Sequence, residues 1–197
     1  MKNNGFILNQ GYKYIITFFV IAIVLSIFNI EFFSTIFYLI TLLTIFIFRN
    51  QERLIFKNKN SILSPIDGKI TAIDIVNGKR KIYCKITPCN THVVRAPSDT
   101  NIKIKNQKNG LNLNPNSYKA TILNEQITFK LSNMKLKLIS GICNTKIEYT
   151  ENTTAEQGEP IAIFIDGLAI ITLKENINID LKIGDKLTAG QSVLFCK

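Results

Sequence analysis

The chain is poor in the residues that metal sites and disulfide frameworks need. Its 197 residues include a single histidine, His92, and four cysteines, Cys84, Cys89, Cys143 and Cys196. The cysteines show neither the CxxC pairing of a zinc site nor the density of a disulfide scaffold, so they read as reduced, mostly buried thiols, and no metal is expected. Acidic residues are scarce too, 14 Asp and Glu against 24 Lys and Arg, which leaves a formal net charge of +10. From Leu54 onward 20 basic side chains stand against 12 acidic ones, so +8 lies outside the apolar N-terminal run. That excess favours an anionic partner. Nucleic acid fits poorly, because the lysines occur singly in alternating patterns (Lys103, Lys105; Lys135, Lys137) without interleaved aromatics. An anionic bilayer surface fits better, and a solvated face of scattered lysines is the plainer alternative.

What the chain has in abundance is one apolar run. Tyr14 to Phe48 is 35 residues with a single charge, Glu31. A straight helix of that length would measure roughly 52 Å, beyond a hydrocarbon core of about 30 Å. A break at Asn29 and Glu31 is therefore expected, giving arms from Tyr14 to Phe28 and from Phe32 to Phe48, a hairpin that spans or dips into a membrane. Lys2 and Lys13 precede it and Arg49, Arg53, Lys57 and Lys59 follow, so the positive-inside rule keeps both ends in the cytoplasm at an inner membrane. A cleaved signal peptide fits less well, since no small-residue cleavage site follows Phe28.

Beyond a basic linker, Leu54 to Asn60, the pattern changes to short alternating runs with turn signals. KITAIDIV (69–76) and KIYCKIT (81–87) flank Asn77-Gly78, a strong hairpin signal. Further strands are expected at 101–105, 119–123, 126–131, 135–139, 145–149, 160–165, 168–173, 179–182 and 192–195. No segment beyond Phe48 reads as a long amphipathic helix. The expected organisation is a membrane-inserted helical hairpin with flanks, residues 1–53, ahead of a mainly β, barrel-sandwich-like domain, residues 54–197. The C-terminal GDKLTAGQSVLF resembles the turns of barrel-sandwich domains that carry biotin or lipoate, yet no acceptor lysine stands on a hairpin tip.

Four motifs carry the chemistry. SPIDG (64–68) reads alone as a turn, and His92 in THVVRAP alone as a structural histidine. In order, however, SPIDG, HVVRAP, the pair Asn124-Glu125 and GEPIAIFIDG (158–167) are similar to the motifs of the phosphatidylserine decarboxylases, in particular their short bacterial and archaeal branch. FRNQER (48–53) resembles that branch's FRDPER, and GDKLTAGQSVLF resembles its C-terminus. The resemblance implies a self-generated pyruvoyl group: a serine after a glycine attacks the glycine carbonyl, the chain is cut, and the ketone left behind serves as an electron sink when carbon dioxide leaves the substrate amine. It implies that Asp67 and His92 are catalytic, Asp67 orienting a base or assisting processing and His92 handling protons. It also implies that Arg95 meets an anionic part of the lipid.

The departure is at Gly167-Leu168. Where that family has serine, this chain has leucine, which offers neither a nucleophile nor a precursor of a ketone. Asp166-Gly167 between IAIFI and LAIITL is instead expected to make an ordinary hairpin turn. The expectation is one uncut polypeptide with no cofactor, anchored in the membrane and binding or regulating aminophospholipid metabolism. Its expected partners are an aminophospholipid and a second copy or an active paralogue. An active decarboxylase and a tethered structural adaptor are the alternatives.

Overall fold

A computed structural model describes residues 6–51, 53–55, 57–144, 146–173, 177 and 179–196. Contacts divide the chain into two compact units, Lys2–Glu52 and Arg53–Lys197.

The first unit is a pair of helices, α1 (Asn9–Ile27) and α2 (Glu31–Ile47). At 1.5 Å per residue they measure about 28 and 26 Å. The chain reverses at Phe28–Ile30, where Asn29 takes a left-handed φ of 55°, a conformation asparagine tolerates better than most residues. Small or hydroxylated residues fill the seam: Gly11 and Ala22 on α1, Ser34, Thr41 and Thr44 on α2. Their hydroxyls are satisfied inside the helix, Thr41 Oγ1 donating to Phe37 O and Thr44 Oγ1 to Ile40 O at 2.8 Å each. Large apolar side chains such as Phe19, Phe32, Leu39 and Leu42 point outward and are exposed. Small residues inside and large apolar ones outside suit a lipid surrounding rather than water. By length and composition α1 is able to cross a membrane.

In the second unit the elements run β1 (Ser61–Leu63), β2 (Gly68–Val76), β3 (Lys79–Ile86), β4 (Val93–Arg95), β5 (Thr100–Asn101), β6 (Lys103–Lys108), α3 (Tyr118–Leu123), β7 (Gln126–Lys130) and β8 (Met134–Ser140). They continue as β9 (Glu148–Tyr149), β10 (Thr154–Ala155), β11 (Pro160–Ile163), β12 (Gly167–Leu173), β13 (Lys186–Leu187) and β14 (Val193–Cys196). Among the described residues the main sheet is antiparallel in the order β13-β2-β3-β12-β8-β7-β6, with β4-β11-β9, β1-β14 and β10-β5 beside it. The unit is mainly β and sandwich-like, as the alternating runs indicate.

The alternation decides which face is buried. Along β12, Gly167, Ala169, Ile171 and Leu173 are buried while Leu168, Ile170 and Thr172 are partly exposed. The buried set joins Ile82 and Cys84 of β3, Leu136 of β8 and Phe129 of β7 in one core, which Ile161 and Phe164 close from the smaller sheet side. The β2–β3 hairpin closes with two residues, Asn77 (φ 52°) and Gly78 (φ 70°), so that Val76 faces Lys79. Two consecutive positive φ values match the right-handed twist of the flanking strands.

Apart from the turn at Asp166-Gly167, four sequence expectations fail, each for a local reason. Residues 119–123 are the helix α3, because Ser117 and Asn124 bracket one turn whose amides bond back, Asn124 N–H to Ala120 O; so short an apolar run carries no decisive period. Residues 179–182 form no strand, since Lys182 N–H is captured by Asp185 Oδ2 at 2.7 Å in a turn that ends at Gly184. Of the run 145–149 only Glu148–Tyr149 is strand, and Thr145 lies outside the described residues. The thiols are not mostly buried: Cys84 is, whereas Cys89, Cys143 and Cys196 sit in turns or at a strand end and are exposed. Burial pushes the Cys84 thiol up to about 12. Alkylation of native protein at neutral pH should therefore modify Cys89 and leave Cys84 intact until denaturant is added, as peptide mass mapping would read.

Candidate active-site region

One end of the main sheet gathers the residues that the motifs single out. The start of β2, the end of β3, the start of β12 and the end of β8 lie side by side there. Lys69 pairs with Lys85, Lys85 with Leu168, and Leu168 with Ile139. With strands about 4.8 Å apart, Lys69 and Leu168 stand about 10 Å from each other.

Asp67, the residue before β2, is buried and fully engaged. Arg53 grips its carboxylate with both guanidinium nitrogens, at 2.5 and 2.6 Å. Ala189 N–H donates to Oδ1 at 2.7 Å, and Thr91 N–H approaches Oδ2 at 3.4 Å. Arg53 also donates to Thr91 Oγ1 and Ala189 O. Burial alone would raise the Asp67 pKa, but the hydrogen bonds from Arg53 and Ala189 and the Arg53 charge outweigh it and hold the carboxyl below its ordinary range. A bidentate guanidinium leaves such a carboxylate charged and poorly basic. Arg53 is the functional residue that sequence reasoning missed. It appeared there only as part of FRNQER and as a basic flank, one of two arginines in that motif, with no local signal tying either to Asp67 fourteen residues on.

His92 follows Thr91 directly, so the Asp67 contact brings the two motifs together. It is 1% exposed, and its carbonyl accepts Phe164 N–H at 2.8 Å, tying it to the segment that leads into Gly167. Arg95 is buried on β4, with Nη1 donating to Gly158 O at 3.0 Å. Its guanidinium thus braces the start of GEPIAIFIDG. Asn124 is a bracket as well: its side chain bonds both the N–H and the C=O of Leu113 and donates to Ser140 O at 2.6 Å. Glu125 accepts Ile147 N–H, and burial is the main influence raising its pKa, opposed by that N–H and by Lys146.

Asp166-Gly167 does not form the expected hairpin. β11 pairs with β4 and β9, whereas β12 pairs with β3 and β8, so the chain passes from one sheet to another between Ile163 and Gly167. The crossing is pinned at several atoms. Gly141 N–H donates to Asp166 O at 2.8 Å, Cys143 N–H to Asp166 Oδ2 at 3.2 Å, and Ile165 N–H to Asn144 Oδ1 at 3.0 Å. Gly167 adopts φ 141°, and a Cβ there would lie 2.1 Å from Ile139 O. Leu168 then enters β12 half-buried, opposite Lys85 and Ile139. Across from Gly167 lies Ser140, whose hydroxyl is engaged with Asn112 Oδ1 at 2.9 Å.

Beside this end opens a cleft of about 500 Å³ lined by Asp67, Lys69, Lys85, Thr87, Asn90 and Lys186 among others. Three ammonium groups, an amide and a hydroxyl around one cleft suit an anionic, hydrogen-bonding group. Among the described residues no three His, Cys, Asp or Glu gather as metal ligands.

Comparison with known proteins bears on this geometry. The family model described as phosphatidylserine decarboxylase matches residues 40–195. A phosphatidylserine decarboxylase proenzyme of Pelagibacter ubique is 26% identical, over 96% of this chain and 95% of the relative. One of Geobacter sp. (strain M21) is 27% identical over 94% of each. A putative archaetidylserine decarboxylase proenzyme of Methanosarcina mazei is 30% identical over 79% of this chain and 76% of the relative.

Proposed function

The chain belongs to the phosphatidylserine decarboxylase family, and from that premise we propose that it is a membrane-anchored member which retains a lipid-headgroup cleft but does not build the pyruvoyl group. The observation that carries the reading is Leu168. The relatives are named as proenzymes, and a pyruvoyl precursor needs a hydroxyl on the residue after the processed glycine. Leu168 has no side-chain oxygen, so the residues present do not fit the group, and no catalytic step is assigned through it. Thr172 is four positions further along β12 and Ser140 is on another strand; neither can give a ketone at the start of residue 168.

What remains is binding. The cleft beside Asp67 offers Lys69, Lys85 and Lys186 to the phosphate and carboxylate of an aminophospholipid. Asp67, clamped by Arg53, positions the backbone at the mouth of that cleft instead of acting as a base. His92 and Arg95 hold the segments that lead into Gly167. The apolar hairpin, residues 1–53, anchors the β domain, residues 54–197, at the cytoplasmic face of an inner membrane. The protein then acts by presenting or withholding aminophospholipid, alone or with an active paralogue.

The intact mass of protein purified from its native cell should equal the full uncut chain, without adduct by an aminooxy reagent. Two fragments, the C-terminal one beginning at residue 168 and carbonyl-reactive, would falsify the proposal. Leu168→Ser restores the missing hydroxyl at the pinned glycine, and slow appearance of those same fragments is the expected result.

A further inference from the structure

We infer that the outer face of the seven-stranded sheet is a docking surface for an anionic lipid bilayer. The inference rests on that face alone, not on the absence of the pyruvoyl group. Residues paired across strands project to the same side of a sheet. Asp74, Lys81, Thr172, Lys135, Lys130 and Lys103 are successive partners from β2 to β6, so four lysines and one carboxylate occupy a single row. The next row carries Lys137 between Ile170 and Thr128, and the one after it Lys69 and Lys85. A bulge in β6 between Ile104 and Asn106 adds Lys105. The opposite side of the same strands is the apolar core, so this polarity belongs to one face.

The lysines are close enough to feel one another. Lys105 above all, then partial burial, Lys79 and Lys130 hold the Lys135 ammonium below the ordinary lysine range. Burial, then Lys108 and Lys81, do the same for Lys137. Like charges gathered on one face repel one another, and an anionic partner relieves that repulsion.

A second observation selects the bilayer. At the margin of the face α3 is fixed by Gln126 Nε2 donating to Thr121 O at 2.6 Å and Lys108 Nζ donating to Ile122 O. It holds Tyr118 80% exposed and Ile122 49% exposed. A cationic face with an aromatic and an aliphatic side chain at its rim matches the boundary between lipid headgroups and acyl chains. Single-stranded nucleic acid is bound through aromatic stacking and arginine, and the described rows hold one aromatic, Tyr83, and no arginine. The field of exposed amines fades within about 8 Å at physiological salt, so a face that gathers many lysines needs its anionic partner close against it.

The test is amine footprinting of the full chain reconstituted into phosphatidylcholine vesicles with or without phosphatidylglycerol, read by peptide mass spectrometry. Acylation of Lys81, Lys135 and Lys137 should fall several-fold when phosphatidylglycerol is present and recover in high salt. Lys182, outside the sheet and far in sequence from the apolar hairpin, should not change. Equal labelling of the sheet lysines in both vesicles overturns the inference. So does protection by added single-stranded RNA in neutral vesicles with none from phosphatidylglycerol.

Discussion

Gly167→Ala should destabilise the β domain by about 3 kcal/mol or more, summing backbone strain and overpacking of about 1–3 kcal/mol each. The new Cβ would sit 2.1 Å from Ile139 O, 2.8 Å from Phe164 Cζ and 2.9 Å from Gly141 N. Two of these are backbone atoms, which cannot swing away as a side-chain tip can. Moreover, φ 141° is a conformation L side chains rarely adopt. For a domain of this size the loss corresponds to a fall in Tm on the order of 10 °C. Leu168→Ala, one residue later at a half-buried position, should cost about 1 kcal/mol. Thermal unfolding of the two variants side by side decides the matter, since comparable small shifts would mean that the glycine is not pinned.

Arg53→Leu should rank next, at about 3 kcal/mol, because it leaves the Asp67 carboxylate buried without its cation. Arg53→Leu with Asp67→Leu should be less damaging than Arg53→Leu alone, since no orphan charge remains. The pH dependence gives an independent sign. With its folded pKa lowered, Asp67 contributes stability that is present above its unfolded value near about 4 and is lost as pH falls through the folded value. Arg53→Leu removes the principal lowering influence and leaves burial in command, so the folded pKa rises above the unfolded one and acidification should then relieve the strain. The difference between wild type and variant should accordingly begin to shrink as pH falls through the variant's raised pKa, above about 4, and go on shrinking below about 4 as wild type loses its own contribution, a comparison in which the opposing influence of Glu125 cancels. A gap that is flat with pH would dissociate Arg53 from the Asp67 charge.

The broad architecture was legible because it follows from periodicity. A 35-residue apolar run broken at Asn29 and alternating strands around Asn77-Gly78 specify their elements locally. The site was legible only as motifs. Nothing local revealed that Asp67 would be clasped by Arg53, fourteen residues earlier, and by Ala189, far later, since both contacts depend on how the strands are stacked. The hairpin expected at Asp166-Gly167 had the right residue types, yet hydrogen bonds donated by Gly141 and Cys143 and one accepted by Asn144 carry that segment between sheets instead. Turn chemistry names a reversal of direction but not which strand waits on the other side. The helix at 118–123 was hidden for a related reason: six residues are too few for a 3.6 period to separate from a 2.0 period.

The grip on Asp67 also orders the assembly of the domain in time. One of its amide donors, Ala189, lies 122 residues further along the chain, so a growing polypeptide can complete the hold on that carboxylate only once the segment around Ala189 has been synthesised. Long-range closures of this kind form late and slow the search. A half-made chain is therefore left with an open seam at the mouth of its own cleft, and the step that seals it is the arrival of the turn at Thr188 to Ser192.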